Sequence, residues 1–319
     1  MSQTKATLRS GLPLPRQKRF GIGYYLKRDW QLYLLLLVPM AAVLLFKYVP
    51  MGGLVIAFKD YKILKGFGGS DWVGLDNFVK AFKSTDFFRA LRNTLMLNFL
   101  ELAISFPMPI VLALMLNEVR NLHFKKISQT LLYLPHFLSW VIIAGVAYQL
   151  FQPGTGMINI LLVRLGFAEV PFLTENVNWV VSYVLIGVWQ SMGWGTIIYL
   201  AAITNVNPEL YDGATIDGAG RWGKIVHVTL PCIRGTIVTI LIMNLGKVMG
   251  SSFERANSLG NPIVREVSSV IATYVYNTGI QSQNYSLTTA VGLFQSVVGL
   301  ILVLTADRVA KKLGEEGLL

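Results

Sequence analysis

Residues 207–231 read Asn207-Pro-Glu-Leu-Tyr-Asp-Gly-Ala-Thr-Ile-Asp-Gly-Ala-Gly-Arg-Trp-Gly-Lys-Ile-Val-His-Val-Thr-Leu-Pro231. Asn207 followed by proline is typical of a helix start, because proline suits the first helical position. Gly218 and Gly220 allow the chain to bend, one of them at a positive φ. Beyond them, apolar side chains recur every three residues from Trp222 to Val228. This spacing predicts a second short helix with one apolar face. The stretch therefore predicts a helix–turn–helix unit.

This unit lies between two long apolar blocks. Of the 319 residues, 53% are hydrophobic and only 14% are charged, whereas soluble domains carry about 25% charged residues. An apolar block of about 18 residues or more is a candidate membrane span. We therefore predict an all-α polytopic membrane protein with six transmembrane helices. The predicted spans are Leu32–Val55, Thr94–Leu116, Ser128–Phe151, Trp179–Ile203, Cys232–Met249 and Leu287–Ala306.

Charge predicts the orientation of the chain. Six spans place both termini on one side, and basic residues collect on the cytoplasmic side of membrane proteins. The segment 1–29 is strongly basic and is predicted to be a cytoplasmic tail. The segment 313–319 is predicted to be a second cytoplasmic tail, because six spans return the chain to the same side. The first loop on the opposite side, residues 56–92, is also basic, but long loops weigh less in this rule. Asp76 in that loop is predicted to cap a short amphipathic surface helix.

Other classes of function find little support in the composition. A single cysteine, Cys232, excludes an intrachain disulfide, and the three histidines are too far apart in sequence to suggest a metal site. The net charge of +11 fits a positive-inside membrane protein better than a nucleic-acid binder. The basic N-terminus precedes an apolar stretch too long for a cleaved signal, so we expect a retained first span.

The 207–231 stretch resembles the EAA loop of permease subunits in binding-protein-dependent ABC importers. The loop pattern is Glu-Ala-Ala, three residues, glycine, nine residues, isoleucine, one residue and Leu-Pro. This sequence supplies Asp212-Gly213-Ala214, then Gly218, Val228 and Leu230-Pro231 at the same spacing. It departs at Asp212, Gly213 and Val228, where each replacement keeps the charge sign, the small size or the aliphatic character.

Other segments resemble the sugar-importing branch of that family, in detail the permeases for oligosaccharides and polysaccharide fragments. They are Lys47–Tyr61, Trp72–Phe78, Thr273–Tyr276 and Ala290–Val298. The resemblance covers about residues 30–312 and implies a six-span permease domain there. It implies the type I, MetI-like fold and the cytoplasmic (inner) membrane of a bacterium.

The resemblance also implies an assembly. A second homologous permease, two cytoplasmic ATPase subunits and an external solute-binding protein are the expected protein partners, with membrane lipid around them and a sugar as cargo. ATP and magnesium belong to the ATPase subunits, and this chain lacks their G-x-x-x-x-G-K-[ST] pattern. We therefore expect a transport subunit without catalytic residues, bound cofactor or metal, and no nucleic-acid partner.

Within this assembly, residues 205–231 would be the coupling loop that enters a cleft of an ATPase subunit. The residues expected to carry this coupling are Glu209, Asp212, Gly213, Ala214, Asp217, Gly218, Arg221, Leu230 and Pro231.

A sugar path needs aromatic and amide side chains, because sugars present CH faces and hydroxyls. Gln190 and Trp194 in the fourth span, and Asn244 and Lys247 in the fifth, match the sugar-contacting places of the maltose-type permease. Packing or an interfacial role remains the alternative for tryptophan. A cation inside a span is costly and usually faces a polar interior, although Lys247 has two alternatives, a pair with Glu101 or snorkelling to the outer surface.

A cation in the path suits an anionic sugar, so the predicted cargo includes uronate-containing oligosaccharides such as alginate or pectin fragments. Three rival functions remain open. An ion-coupled secondary transporter would need carboxylate relays within the spans, for which Glu101 is the sole candidate. An ABC permease for a non-sugar solute, such as an amino acid, is the second rival. An intramembrane enzyme is the third, and it lacks a recognisable motif in the spans.

Overall fold

The structure, a computed structural model, describes residues 22–250, 252–312 and 314. Most of the predicted tail 1–29, and all but Gly314 of the tail 313–319, lie outside the described residues. Among those described, four helices are long and apolar enough to cross a membrane, and two bent helix pairs bring the number to six. The predicted all-α polytopic fold with six spans is confirmed.

The six are numbered span one to span six in chain order. The four long helices are span one (Trp30–Phe58), span two (Thr85–Glu118), span four (Asn176–Thr204) and span six (Tyr285–Lys312). The bent pairs are span three (Leu122–Phe137 and Trp140–Phe151) and span five (Arg221–Cys232 and Arg234–Gly246). The remaining helices are Ile22–Arg28, Gly66–Gly69, Asp76–Lys83, Met157–Arg164, Pro208–Ile216, Phe253–Leu259, Pro262–Val264, Arg265–Ser268, Ile271–Val275 and Tyr276–Gln281.

The chain divides into two compact units, one ending at Leu54 and the other comprising Val55–Leu319. In the first unit, the α-helix Trp30–Val43 contains Pro39 and passes into a π-helical turn, Leu44–Tyr48. Proline removes one backbone donor from a helix, and membrane helices tolerate this loss.

Span three is not the straight helix expected for residues 128–151. Its two parts meet at 103°. The first part ends in a 3₁₀ turn, Leu134–Phe137, that contains Pro135. Ser139 then starts the second part, since its hydroxyl accepts a hydrogen bond from the Ile142 amide at 3.4 Å. Span five bends by 60° next to Pro231, which cannot donate a backbone hydrogen bond.

The segment between spans one and two is ordered. Lys59–Asp60 and Asp71–Trp72 form a two-stranded antiparallel ladder, a small strand element that the all-α prediction did not include. The amphipathic helix appears as Asp76–Lys83. Asp76 does not cap it but lies in its first turn and pairs with Lys80 at 2.7 Å, which raises the pKa of that lysine.

The described residues of the second unit form three apolar clusters. The largest surrounds Trp179 and Tyr183 of span four, with contributions from spans two and three and residues 256–270. A second surrounds Phe87 and joins spans two and six. The third surrounds Tyr199 and joins spans two, four and five. Span four contributes to two of these clusters and is buried along much of its length. It is therefore the central packing element of the second unit.

Candidate functional site

A cavity of about 500 Å³ lies between spans two, three, four and five. Near the middle of spans two and four, its wall is mostly apolar and carries a few polar and charged side chains. This mixture is typical of sites that bind small molecules. The polar, charged and tryptophan residues of the wall include Asn98, Glu101, Trp140, Ser191, Trp194, Asn244, Lys247 and Arg255. Three of the four residues predicted for the substrate path, Trp194, Asn244 and Lys247, therefore share one cavity.

Lys247 lies directly after the helical part of span five. It is the C-cap residue of Arg234–Gly246, and its amide donates to the Asn244 carbonyl at 3.0 Å. A cation is electrostatically favoured at a helix C-terminus. Within the described part of the chain no carboxylate forms an ion pair with Lys247, and Glu101 is paired elsewhere. Its exposed ammonium group is therefore available to the cavity.

Trp194 and Gln190 have different surroundings although they lie one turn apart. The Trp194 ring stacks on His136, with 4.9 Å between centroids and 9° between planes. The tryptophan remains 47% exposed, so part of its ring is open to the cavity. Gln190 lies outside the cavity lining, and its amide donates to the His136 carbonyl at 3.5 Å. It contacts the 3₁₀ turn at the break of span three.

Arg255 also lines the cavity, although sequence reasoning did not select it, because it lies between the predicted fifth and sixth spans. It is only 4% exposed and pairs with Glu101 at 2.6 Å. A second guanidinium nitrogen donates to the Tyr183 carbonyl. The guanidinium carbon also lies 3.8 Å from the Tyr183 ring centroid and 5.0 Å from that of Trp140, both within cation–π range.

Gly187 makes room for this arginine. A Cβ atom at Gly187 would collide with the Arg255 guanidinium. The missing side chain at Gly187 therefore allows a buried cation to lie against span four. Glu101, the one carboxylate in the predicted span Thr94–Leu116, was the available sequence signal, since an intramembrane carboxylate implies a partner.

Residues 207–232 form the predicted helical hairpin, with arms Pro208–Ile216 and Arg221–Cys232. Asn207 caps the first arm by accepting from the Glu209 amide at 3.1 Å. Gly218 has φ +78°. The Ala219 amide bonds to the Ala214 carbonyl at 2.8 Å, and the Gly218 amide to that of Thr215 at 3.1 Å. These two bonds define a Schellman motif, in which a glycine ends the helix at positive φ.

The two arms of the hairpin are joined by side chains. The Tyr211 hydroxyl lies 3.0 Å from the Thr229 hydroxyl, and Lys224 donates to the Thr215 hydroxyl at 2.7 Å. Leu230 packs on the apolar cluster around Tyr199 at the adjoining ends of spans two and four. Hydrogen bonds between side chains therefore hold the two arms together, and apolar packing of Leu230 attaches the hairpin to the spans.

The surface of the hairpin is partly apolar. Ile216 is 87% exposed and Trp222 is 80% exposed. Around them lie four exposed charged side chains, Glu209, Asp212, Asp217 and Arg221. Exposed apolar side chains bordered by charges mark a surface for a protein partner.

Comparison with known proteins identifies the family. Residues 105–315 match the family described as binding-protein-dependent transport system inner membrane component. The polygalacturonan/rhamnogalacturonan transport system permease protein YteP of Bacillus subtilis is 48% identical over 95% of this chain and 94% of its own length. Protein LplB of the same species is 46% identical over 92% of both chains.

A solved structure shares the fold. A chain of a bacterial alginate ABC transporter, crystallised in complex with an alginate pentasaccharide-bound periplasmic protein, has a TM-score of 0.85 and 41% identity. The match covers 93% of this chain and 99% of that chain. The protein is therefore a member of the inner membrane component family of binding-protein-dependent transport systems, a multi-pass permease subunit rather than an enzyme.

Proposed function

We propose that this chain forms half of the pore of an ATP-driven importer for uronate-containing oligosaccharides or polysaccharide fragments. The observation that carries the proposal is Lys247, a cation without a partner carboxylate among the described residues, in the wall of a cavity between spans. An intramembrane cation is costly unless it serves a substrate or pairs with an anion. Trp194 offers an aromatic face to sugar CH groups, and Asn244 offers an amide to hydroxyls.

The relatives support an acidic cargo. YteP is a permease for polygalacturonan and rhamnogalacturonan, and the solved relative belongs to an alginate transporter. Polygalacturonan and alginate are polymers of uronic acids, which carry one carboxylate per residue. Gln190 joins the substrate path in this proposal through its contact with His136, the residue on which Trp194 stacks.

The 207–232 hairpin is the coupling element in this proposal. Its exposed apolar residues would enter a cleft of a cytoplasmic ATPase subunit, and amphipathic helices are commonly received in grooves. Gly213 and Ala214 are small residues, which would let the first arm approach the ATPase closely. Gly218 at positive φ forms the turn between the arms. Leu230 and Pro231 lie at the end of the second arm, next to the bend that leads into the helix Arg234–Gly246. The charged residues Glu209, Asp212, Asp217 and Arg221 would match charges on the ATPase.

The remaining partners follow from this assembly. A second homologous permease would complete the pore, and a solute-binding protein would deliver sugar from outside. ATP and magnesium would be held by the ATPase pair. The domain 30–312 would lie in the bacterial inner membrane, between cytoplasmic tails 1–29 and 313–319, with the loop 56–92 outside.

Transport would proceed by alternating access. ATP can shift the equilibrium between inward-open and outward-open states only through its different affinity for the two states. The hairpin would pass the closure of the ATPase subunits to spans four and five, which carry Trp194, Asn244 and Lys247.

Reconstitution tests the proposal. The chain, its partner permease, the ATPase and the binding protein are placed in liposomes, and sugar uptake and ATP hydrolysis are measured together. Uronate oligosaccharides should stimulate both activities, and neutral oligosaccharides of equal length should stimulate them less. Uptake of the uronate oligosaccharides without ATP would support a secondary transporter, and a lack of response to any sugar would refute the proposed cargo.

A further inference from the structure

Glu101 lines the cavity, and only one of its two carboxylate oxygens accepts a hydrogen bond from the described residues. Its Oε2 atom accepts from Arg255 at 2.6 Å, and within the described residues Oε1 accepts no hydrogen bond. An ionised carboxylate has about four acceptor positions on its two oxygens. Most of the acceptor capacity of Glu101 is therefore unoccupied.

Burial is unequal within this ion pair. The Arg255 side chain is 5% exposed and that of Glu101 is 25% exposed, and both residues line the cavity. The guanidinium is enclosed by the Tyr183 carbonyl, two aromatic rings and the space left by Gly187. The pair consequently presents its anionic member to the cavity and keeps its cationic member behind it.

A carboxylate in this position needs its neighbour. The free energy cost of placing a charge within a membrane protein falls when an opposite charge and hydrogen bonds accompany it. Arg255 supplies both, so it compensates the Glu101 carboxylate and holds it in one orientation. With this pair neutral overall, Lys247 is left as the uncompensated charge of the wall.

We propose that Glu101 binds substrate directly, accepting hydrogen bonds from sugar hydroxyls, and that Arg255 is the residue that positions it. This proposal rests on the proposed transport of oligosaccharides and adds a residue to the path. The cavity then recognises three features of one uronate sugar. Glu101 accepts from hydroxyls, Lys247 attracts the carboxylate, and Trp194 covers a CH face.

A purely structural role for the pair is the competing explanation. Asn98, one helical turn before Glu101, donates to the Val248 carbonyl at 2.6 Å and the Gly250 carbonyl at 3.1 Å. Asn98 and Glu101 together hold the segment after span five against span two. A structural role needs a compatible pair of side chains, whereas a substrate-binding role needs the carboxylate itself.

Two variants separate these roles. Glu101→Gln keeps the size of the side chain and replaces the carboxylate by an amide. The double variant E101Q/R255Q also removes the buried cation and thus restores a neutral pair. Both are reconstituted with the partner subunits, and the initial uptake rate is measured with binding protein saturated by each sugar. The sugars are a uronate oligosaccharide and a set of its monodeoxy analogues.

Binding by Glu101 predicts about tenfold slower uptake of the parent sugar in both variants, because charge-assisted hydrogen bonds to substrate hydroxyls are lost. The loss should shrink for the deoxy analogue that lacks the bonded hydroxyl. Full recovery in E101Q/R255Q, or an equal loss with every analogue, would overturn the proposal. If the wild-type assembly imports only neutral sugars, the proposed cargo fails, and the same comparison with neutral deoxy sugars still tests Glu101.

Discussion

At the scale of single residues, Lys247 and Arg255 show how two cations near the same cavity differ in their surroundings. Arg255 is enclosed and paired with Glu101, so its charge is compensated within the protein. Lys247 lies at a helix end, exposed and without a carboxylate partner among the described residues. An enclosed and compensated cation such as Arg255 contributes mainly to structure and positioning, whereas an uncompensated cation in a cavity is available to an anion.

We expect Lys247→Met to lower the uptake of uronate oligosaccharides by at least about tenfold, since a charge-assisted bond contributes about 1.5–3 kcal/mol. Neutral oligosaccharides should lose much less. Lys247→Arg is the matched control because it keeps the cation. Uptake by the reconstituted assembly measures the effect, and an equal loss for both classes of sugar would contradict electrostatic recognition by Lys247.

Gly187→Ala should destabilise the protein by about 1–3 kcal/mol, the range for overpacking a filled interior. The reason is the collision of the new methyl group with the Arg255 guanidinium. Thermal unfolding of the purified assembly measures the change. Gly292→Ala is the matched control, since a Cβ atom there has no neighbour within 4 Å.

Coupling between the two positions checks the cause. The cost of Gly187→Ala should decrease when Arg255 is replaced by methionine, which lacks the planar head group. A cost that is unchanged in that background would mean that Gly187 serves close packing of the helices instead.

The limits of sequence reasoning are clearest at this scale. Lys247 was recognised because it interrupts an apolar block. Arg255 was not, because the partner that explains its burial, Glu101, lies 154 positions away in sequence. Local sequence patterns carry no signal for a contact of that kind.

At the scale of elements, the hairpin was predictable because each of its signals is local. The signals are the proline after Asn207, two glycines and a three-residue apolar spacing, and each predicts local structure from a few neighbouring positions. The structure has Gly218 at positive φ, as one of the glycines was expected to be. The 103° bend of span three was missed although Pro135 and Ser139 were visible. Membrane helices tolerate proline, so Pro135 alone does not distinguish a straight span from a broken one.

Asp212→Lys tests the hairpin as a coupling element. The side chain is exposed, so the substitution should leave the stability of the permease within about 0.5 kcal/mol of wild type. Sugar-stimulated ATP hydrolysis and uptake should nevertheless be lost, because a charge of the wrong sign would face the ATPase. Glu118→Lys makes the same charge change at another exposed position and should retain activity. Normal transport by Asp212→Lys would refute the role of this residue in coupling.

At the scale of the whole molecule, the number of membrane crossings between two segments determines whether they lie on the same side of the membrane. It therefore determines which partner proteins each segment can contact. Spans two, three and four separate the 59–83 segment from the 207–232 hairpin. Three crossings would place these two parts on opposite sides of the membrane, whatever the path of span one. This placement requires that the bent span three crosses the membrane rather than re-entering on the same side.

Labelling with an impermeant maleimide tests this requirement in intact cells. Cys232→Ser first removes the one native cysteine, and Asp71→Cys or Asp217→Cys then reports either exposed segment. Cysteine at 71 should react in intact cells, and cysteine at 217 only after permeabilisation. The strongly basic segment 1–29 is expected in the cytoplasm, so one crossing puts position 71 outside and four crossings put position 217 inside. Reaction of both positions from the same side would mean that span three re-enters, and the hairpin could then not reach an ATPase in the cytoplasm while the 59–83 segment faces the binding protein.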